Sequence, residues 1–217
     1  MALGIPEGTP ILKVDTVIYL KEGRPVVWRT APHRLSPTRS ARAFFFAHVR
    51  ASTGTSSTRA NCHPFVFGPW LFMHNGQIGG YAKIKRQLEH EIPDALYAHR
   101  HGTTDSEVLM LANGLETDPL GALRQTFALI ASHMRKAGIE EPLKVTAAFT
   151  KGERVHAVRY STDLEPPTLY TKPMLDREGM LIVSEPLDDV RADWTSIPRQ
   201  HVLTAARTTT TTTEPLG

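Results

Sequence analysis

The stretch "WLFMHNGQIGG", Trp70 to Gly80, starts as an apolar, strand-like run and breaks at His74, Asn75 and Gly76. Asn-Gly is ordinarily turn chemistry, because both residues tolerate backbone conformations that other side chains avoid. Two more glycines follow at once. Two readings compete. One is a hairpin turn; the other is a site where amide donors face an atom that becomes negatively charged.

Working outward, the N-terminal side reads as β-structure. "KVDTVIYL" alternates and is β-branched, "KEG" turns the chain, and "PVVWRT" returns, which predicts a hairpin. "APHRLSPTRSAR" reads as a loop, and "AFFFAHVR" as a buried strand ending at His48 and Arg50. The polar stretch "ASTGTSSTRANCHP" is a connector between buried strands, where functional residues concentrate. "FVFGPWLFM" predicts a strand pair or a bent strand.

The C-terminal side turns helical and then returns to strands. In "YAKIKRQLEHEI", Ile84, Leu88 and Ile92 recur at helical spacing opposite lysines and glutamates. "TDSEVLML" predicts a second helix, with Thr104 at the N-cap and Glu107 three residues on as a capping box. Asp118-Pro119 opens a third, whose stripe is Leu123, Phe127, Ile130 and Met134, ending near Gly138. "LKVTAAFT", "KGE" and "RVHAVRYS" form another hairpin, followed by short strands at "TLYT" and "GMLIVSE". Strands, helices, then strands predict an α+β class with antiparallel sheets. "ARTTTTTTEPLG" is low in complexity, so residues 1–203 are expected to form one domain and 204–217 a disordered tail.

Bulk properties exclude several classes. A chain of 217 residues that is 41% hydrophobic can bury a core. The net charge is only +3 and the arginines are scattered, so no nucleic-acid patch is expected. No apolar run reaches the roughly 20 residues of a membrane span, and no signal peptide is visible, giving a cytoplasmic expectation. The single cysteine, Cys62, excludes an intrachain disulfide. Beside His63 it invites a Cys–His reading, but it fits better as a buried, inert residue. The ten histidines show no metal spacing, so neither metal nor cofactor is expected.

Three clusters carry chemistry: "HVRAST" with "NCHPF", "HNG", and "TTDSEVL". Singly, each has an ordinary explanation: Arg50 as a surface ion pair, Asn75-Gly76 as a turn, Asp105 as a first-turn helix acid. Together with "LFMHNGQI", "VRYST" and "VSEPL", and in that order, they resemble the class II glutamine amidotransferases of the N-terminal-nucleophile (Ntn) hydrolase superfamily. The chain is most similar to compact bacterial members related to the ergothioneine-pathway γ-glutamyl amidohydrolase, from about Thr16 to Pro198.

The resemblance implies a four-layer αββα sandwich of antiparallel sheets. It implies that the Asn75 side-chain amide and the Gly76 backbone N–H form an oxyanion hole, that Arg50 grips an α-carboxylate and that Asp105 holds an α-ammonium. Thr53 and His74 would line the same pocket. The implied ligand is a small molecule, glutamine or a γ-glutamyl amide, whose leaving group the sequence does not identify. Family chains begin Met-Cys, with the cysteine as nucleophile, whereas this sequence begins Met1-Ala2. The "TVIYL" strand resembles one that in the family follows the nucleophile strand, so the sandwich is expected to lack its first strand or strands. Three expectations follow: a chain that starts at an internal methionine, with its nucleophile upstream; a degenerate domain that binds glutamine-like ligands or a partner without hydrolysis; or a Cys62 thiol hydrolase. A missing strand exposes a sheet edge, so an oligomer or a partner chain is also expected.

Overall fold

Alternating and β-branched segments fold here into antiparallel strands, and the 3.6-periodic segments into helices laid across them. A computed structural model of the chain describes residues 17–22, 42–47, 59–111, 118–173, 180–206 and 211–216. In chain order the N-terminal elements are β1 (Val17–Glu22), β2 (Arg42–Ala47), β3 (Phe65–Phe67) and β4 (Trp70–Ile78). The helices α1 (Tyr81–His90), α2 (Asp94–Tyr97), α3 (Asp105–Leu111) and α4 (Pro119–Lys136) come next. Then follow β5 (Leu143–Thr150), β6 (Arg154–Ser161), β7 (Tyr170–Pro173), β8 (Met180–Val183), β9 (Thr195–Ser196), β10 (His201–Ala206) and β11 (Thr211–Pro215).

These strands make two antiparallel sheets, ordered β2-β1-β8-β7-β9 and β11-β10-β6-β5-β4-β3. The period of two along β4 shows how they stack. Trp70, Phe72 and Ile78 point to the helices, where they join Leu88 of α1, Val108 of α3 and the expected α4 stripe through Phe127 and Ile130. Met73 points the other way and joins Ala148, Ala157 and Leu203 against Ile182 of the second sheet. The fold is therefore an α+β sandwich with antiparallel sheets, its described helices covering one outer face.

Most predicted elements appear. Two differ, while "PVVWRT" lies outside the described residues and β1 is seen paired with β2 and β8. "HNG" is not a turn: β4 runs straight through it, and Asn75 and Gly76 pair with Thr146 and Val145 of β5. The stretch 204–217, expected to be disordered, instead supplies the end of β10 and all of β11, which pairs with it. Threonine is β-branched and suits an extended edge. The end of this segment is also tied down, because Arg124 of α4 donates to the carbonyls of Pro215 and Leu216, and the Leu216 side chain enters the helix–sheet core.

One core residue makes stability depend on pH. His156 of β6 is buried, stacks on Phe149 and hydrogen-bonds through Nδ1 to the Thr204 hydroxyl. Burial, with Arg154 and Lys151 nearby, pushes its pKa down to about 4. Between the unfolded value of about 6.5 and the folded value of about 4, only the unfolded chain takes up the proton. Stability is therefore lost as pH falls through that window. Urea unfolding is expected to show the chain losing about 2 kcal/mol more than His156→Gln does between pH 7 and pH 5.

Candidate active site

Of the chemistry-bearing motifs, "HNG" and "TTDSEVL" meet where the C-terminal half of β4 faces the N-terminus of α3. Asp105 opens that helix and is half-buried. Its Oδ2 accepts from the backbone N–H of Ile78 at 2.9 Å, and its Oδ1 from the N–H of Ser106 at 2.9 Å. A carboxylate has about four lone-pair directions, so each oxygen keeps room for one more donor. The link to Ile78 fixes Asp105 beside the strand that carries Asn75 and Gly76.

Gly76 answers the question raised by the Asn-Gly pair. Its φ is +143°, a conformation L side chains rarely adopt. A methyl group there would sit 2.0 Å from the Lys144 carbonyl oxygen and 2.8 Å from His74 Nε2. Only glycine fits this position. Gly79 is sterically confined as well, since a methyl group on it would lie 2.3 Å from the Glu141 carbonyl oxygen. The glycines therefore serve close approach of β4 to the β5 region, and the strand stays paired through the irregularity. Gly76 is exposed and Asn75 half-buried.

His74, expected to line the pocket with Thr53, is 2% exposed and lies on the helix side of β4, with both ring nitrogens engaged. Nε2 is 3.2 Å from the Lys144 carbonyl and Nδ1 3.0 Å from the Ser106 hydroxyl. A carbonyl only accepts, so the ring proton sits on Nε2 and Ser106 donates to Nδ1. Burial pulls the pKa of His74 below its ordinary value, against the opposing charge of Asp105, so the ring is neutral.

The start of α3 is held from two more directions. Asn61 of "NCHPF", 1% exposed, accepts from the Thr103 N–H at 2.8 Å and donates to the Thr103 hydroxyl at 3.2 Å. Thr104 caps α3 by accepting from the Glu107 N–H at 3.3 Å, as its position predicts. The Glu107 carboxylate does not complete the capping box. It accepts from the N–H groups of His101 and Gly102 and pairs with Arg100. Arg100 also donates to Glu89 and Tyr81 of α1 and to the Thr104 carbonyl. This buried network joins α1, the connecting loop and α3.

On the inter-sheet face, Asn75 lies in register with Thr146, and Thr146 with Arg159. The Arg159 guanidinium is buried and donates to the carbonyls of Pro167 and Ile197 and to the Ser196 hydroxyl. Its inward direction was legible, because period two puts it in phase with Val155 and Ala157. Arg100, Ser106 and Asn61 were missed as site-builders, since their partners lie across loops where no periodicity applies.

Arg50 and Thr53 lie outside the described residues, as does His48. Cys62, expected to be buried, is exposed, and the His63 ring packs edge-on against Phe65. Among the described residues no group of three or more His, Cys, Asp and Glu side chains is arranged to hold a metal ion. Nor is any helix long and apolar enough to cross a membrane.

No family model matches the chain. It is 32% identical, over 205 aligned residues, to the probable glutamine amidotransferase DUG3 of Saccharomyces cerevisiae, an alignment that covers 76% of this chain. The chain spans 57% of the length of that curated relative. Among solved structures, it is similar to a glutamine aminotransferase class-II domain protein from Silicibacter pomeroyi. That match has a TM-score of 0.73 and 29% identity, and covers 92% of this chain and 97% of the other. The glutamine phosphoribosylpyrophosphate amidotransferase from B. subtilis shares the fold at a TM-score of 0.58 and 13% identity, covering 94% of this chain and 43% of that one. These likenesses support the glutamine amidotransferase family, with an Ntn-type fold.

Proposed function

With the glutamine amidotransferase family supported by sequence and by fold, we propose that the chain is an amidohydrolase domain of the class II type. It takes the γ-glutamyl head group of glutamine or of a γ-glutamyl amide and polarises the amide for cleavage. The observation that carries this reading is the attachment of Asp105 to the strand bearing Asn75 and a positive-φ Gly76. An anion for an α-ammonium and amide donors for a developing oxyanion then belong to one rigid unit. Arg50 supplies the complementary cation for the α-carboxylate, in the bidentate manner suited to guanidinium. Asn75 and Gly76 act in the transition state, where losing one such donor commonly costs roughly 3 kcal/mol. None of these cradle residues is the nucleophile, a role the family resemblance gives to a chain-opening cysteine.

Calorimetric titration of the purified chain with L-glutamine and with a γ-glutamyl amide tests the head-group assignment. Arg50→Ala and Asp105→Asn are each expected to weaken binding by at least about tenfold, since each removes one charge-assisted interaction. Unchanged affinity in both variants would remove the proposal. Parallel assay of glutamate and ammonia separates a hydrolase from a domain that binds without cleaving.

A further inference from the structure

We infer that His74 is a positioning residue that locks the proposed oxyanion corner to the proposed head-group site through Ser106; this rests on the reading above. Gly76 is bracketed. Two residues before it, the His74 ring reaches Ser106 of α3; two residues after it, the Ile78 N–H reaches Asp105 of the same helix. Both ties end on adjacent residues of one helical turn. The stretch between them therefore cannot rotate without moving the start of α3.

The His74 ring also sets the backbone conformation inside the bracket. Its Nε2–H binds the Lys144 carbonyl, the same oxygen that a side chain on Gly76 would strike. The imidazole and that carbonyl together fill the space beside the glycine. Gly76 is thus held at φ +143°, and with it the direction of the Gly76 N–H. Because Nδ1 can only accept in this tautomer, the Ser106 hydroxyl is the partner that fixes the ring. Ser106 is 6% exposed, so no bulk water replaces it readily. Removing the hydroxyl leaves a buried acceptor unsatisfied and frees the ring to turn. His74 acts entirely from behind the strand and never touches ligand.

The test uses the ¹⁵N-labelled chain and the three-bond amide–α-proton couplings of Gly76, which report its φ without ligand. Ser106→Ala and His74→Phe are expected to change those couplings and, by loosening the turn that carries Asp105, to weaken L-glutamine binding by about tenfold, an ordinary coupling between two linked groups. Ser106→Thr, which keeps the hydroxyl, is expected to restore both. Ile130→Val, a small deletion in the helix–sheet core away from the site, is expected to leave the couplings unchanged. If His74→Phe fails to fold, Ser106→Ala decides. Gly76 couplings in Ser106→Ala identical to those of the parent chain overturn the inference. So does an equal change in Ile130→Val, or altered couplings with full glutamine affinity. If the parent chain itself binds no glutamine, the proposed function fails, while the couplings still decide whether His74 sets Gly76.

Discussion

Arg100→Ala is expected to destabilise the chain by about 3–5 kcal/mol, the usual effect of removing one partner from a buried ion pair. The Arg100 side chain is 6% exposed and that of Glu107 5%. Glu107 would keep two backbone donors, from His101 and Gly102, but would lose its counter-charge. Glu89 and Tyr81 on α1 would lose their shared partner at the same time. Chemical unfolding checks the size of the effect. The double variant Arg100→Met with Glu107→Leu is expected to recover much of the loss, because no buried charge is left unpaired. A loss below about 1 kcal/mol would mean that the network behaves as a surface pair. Because the loop it organises leads directly into Asp105, the single variant is also expected to weaken glutamine binding.

Gly76→Ala is expected to cost about 2–6 kcal/mol and to abolish any turnover. Two terms add. Holding an L-residue in a sparsely populated backbone region costs about 1–3 kcal/mol, and forcing a methyl group into packed surroundings adds about 1–3 kcal/mol. A reference without crowding is Gly138 at the end of α4, which has φ +61°, the milder left-handed region, and nothing within 4 Å of an added methyl group. Gly138→Ala is expected to cost only the conformational part, about 1–2 kcal/mol. Urea midpoints of the two variants measure the difference. Equal costs would show that the approach of Lys144 to Gly76 relaxes easily.

Periodicity carried most of the fold. The α4 stripe from Leu123 to Met134, the α1 spacing of Ile84 and Leu88 and the β5–β6 hairpin all follow from spacing that local geometry imposes. Legibility failed where a residue's role depends on a partner distant in sequence. Asn-Gly at 75–76 suggests a turn from local chemistry alone, yet pairing with β5 keeps the strand intact. Glu107 has ideal capping-box spacing, but Arg100 and two loop N–H groups compete for its carboxylate and win. The end of the threonine run looks too simple to fold, yet with β-branching and the grip of Arg124 its residues Thr211–Thr213 lie in an edge strand. In the candidate site, motif order pointed to Asp105, Asn75 and Gly76. The burial of His74 and its bond to Ser106 could be seen only once β4 and α3 were placed together.

The most direct test is a crystal structure of this chain with L-glutamine bound. The α-ammonium is expected within hydrogen-bonding distance of the Asp105 carboxylate, roughly 3 Å, and the side-chain amide oxygen facing the Asn75 amide and the Gly76 N–H. A glutamine seated elsewhere, with Asp105 and the Asn75–Gly76 corner opening onto separate surroundings, would contradict the proposed function.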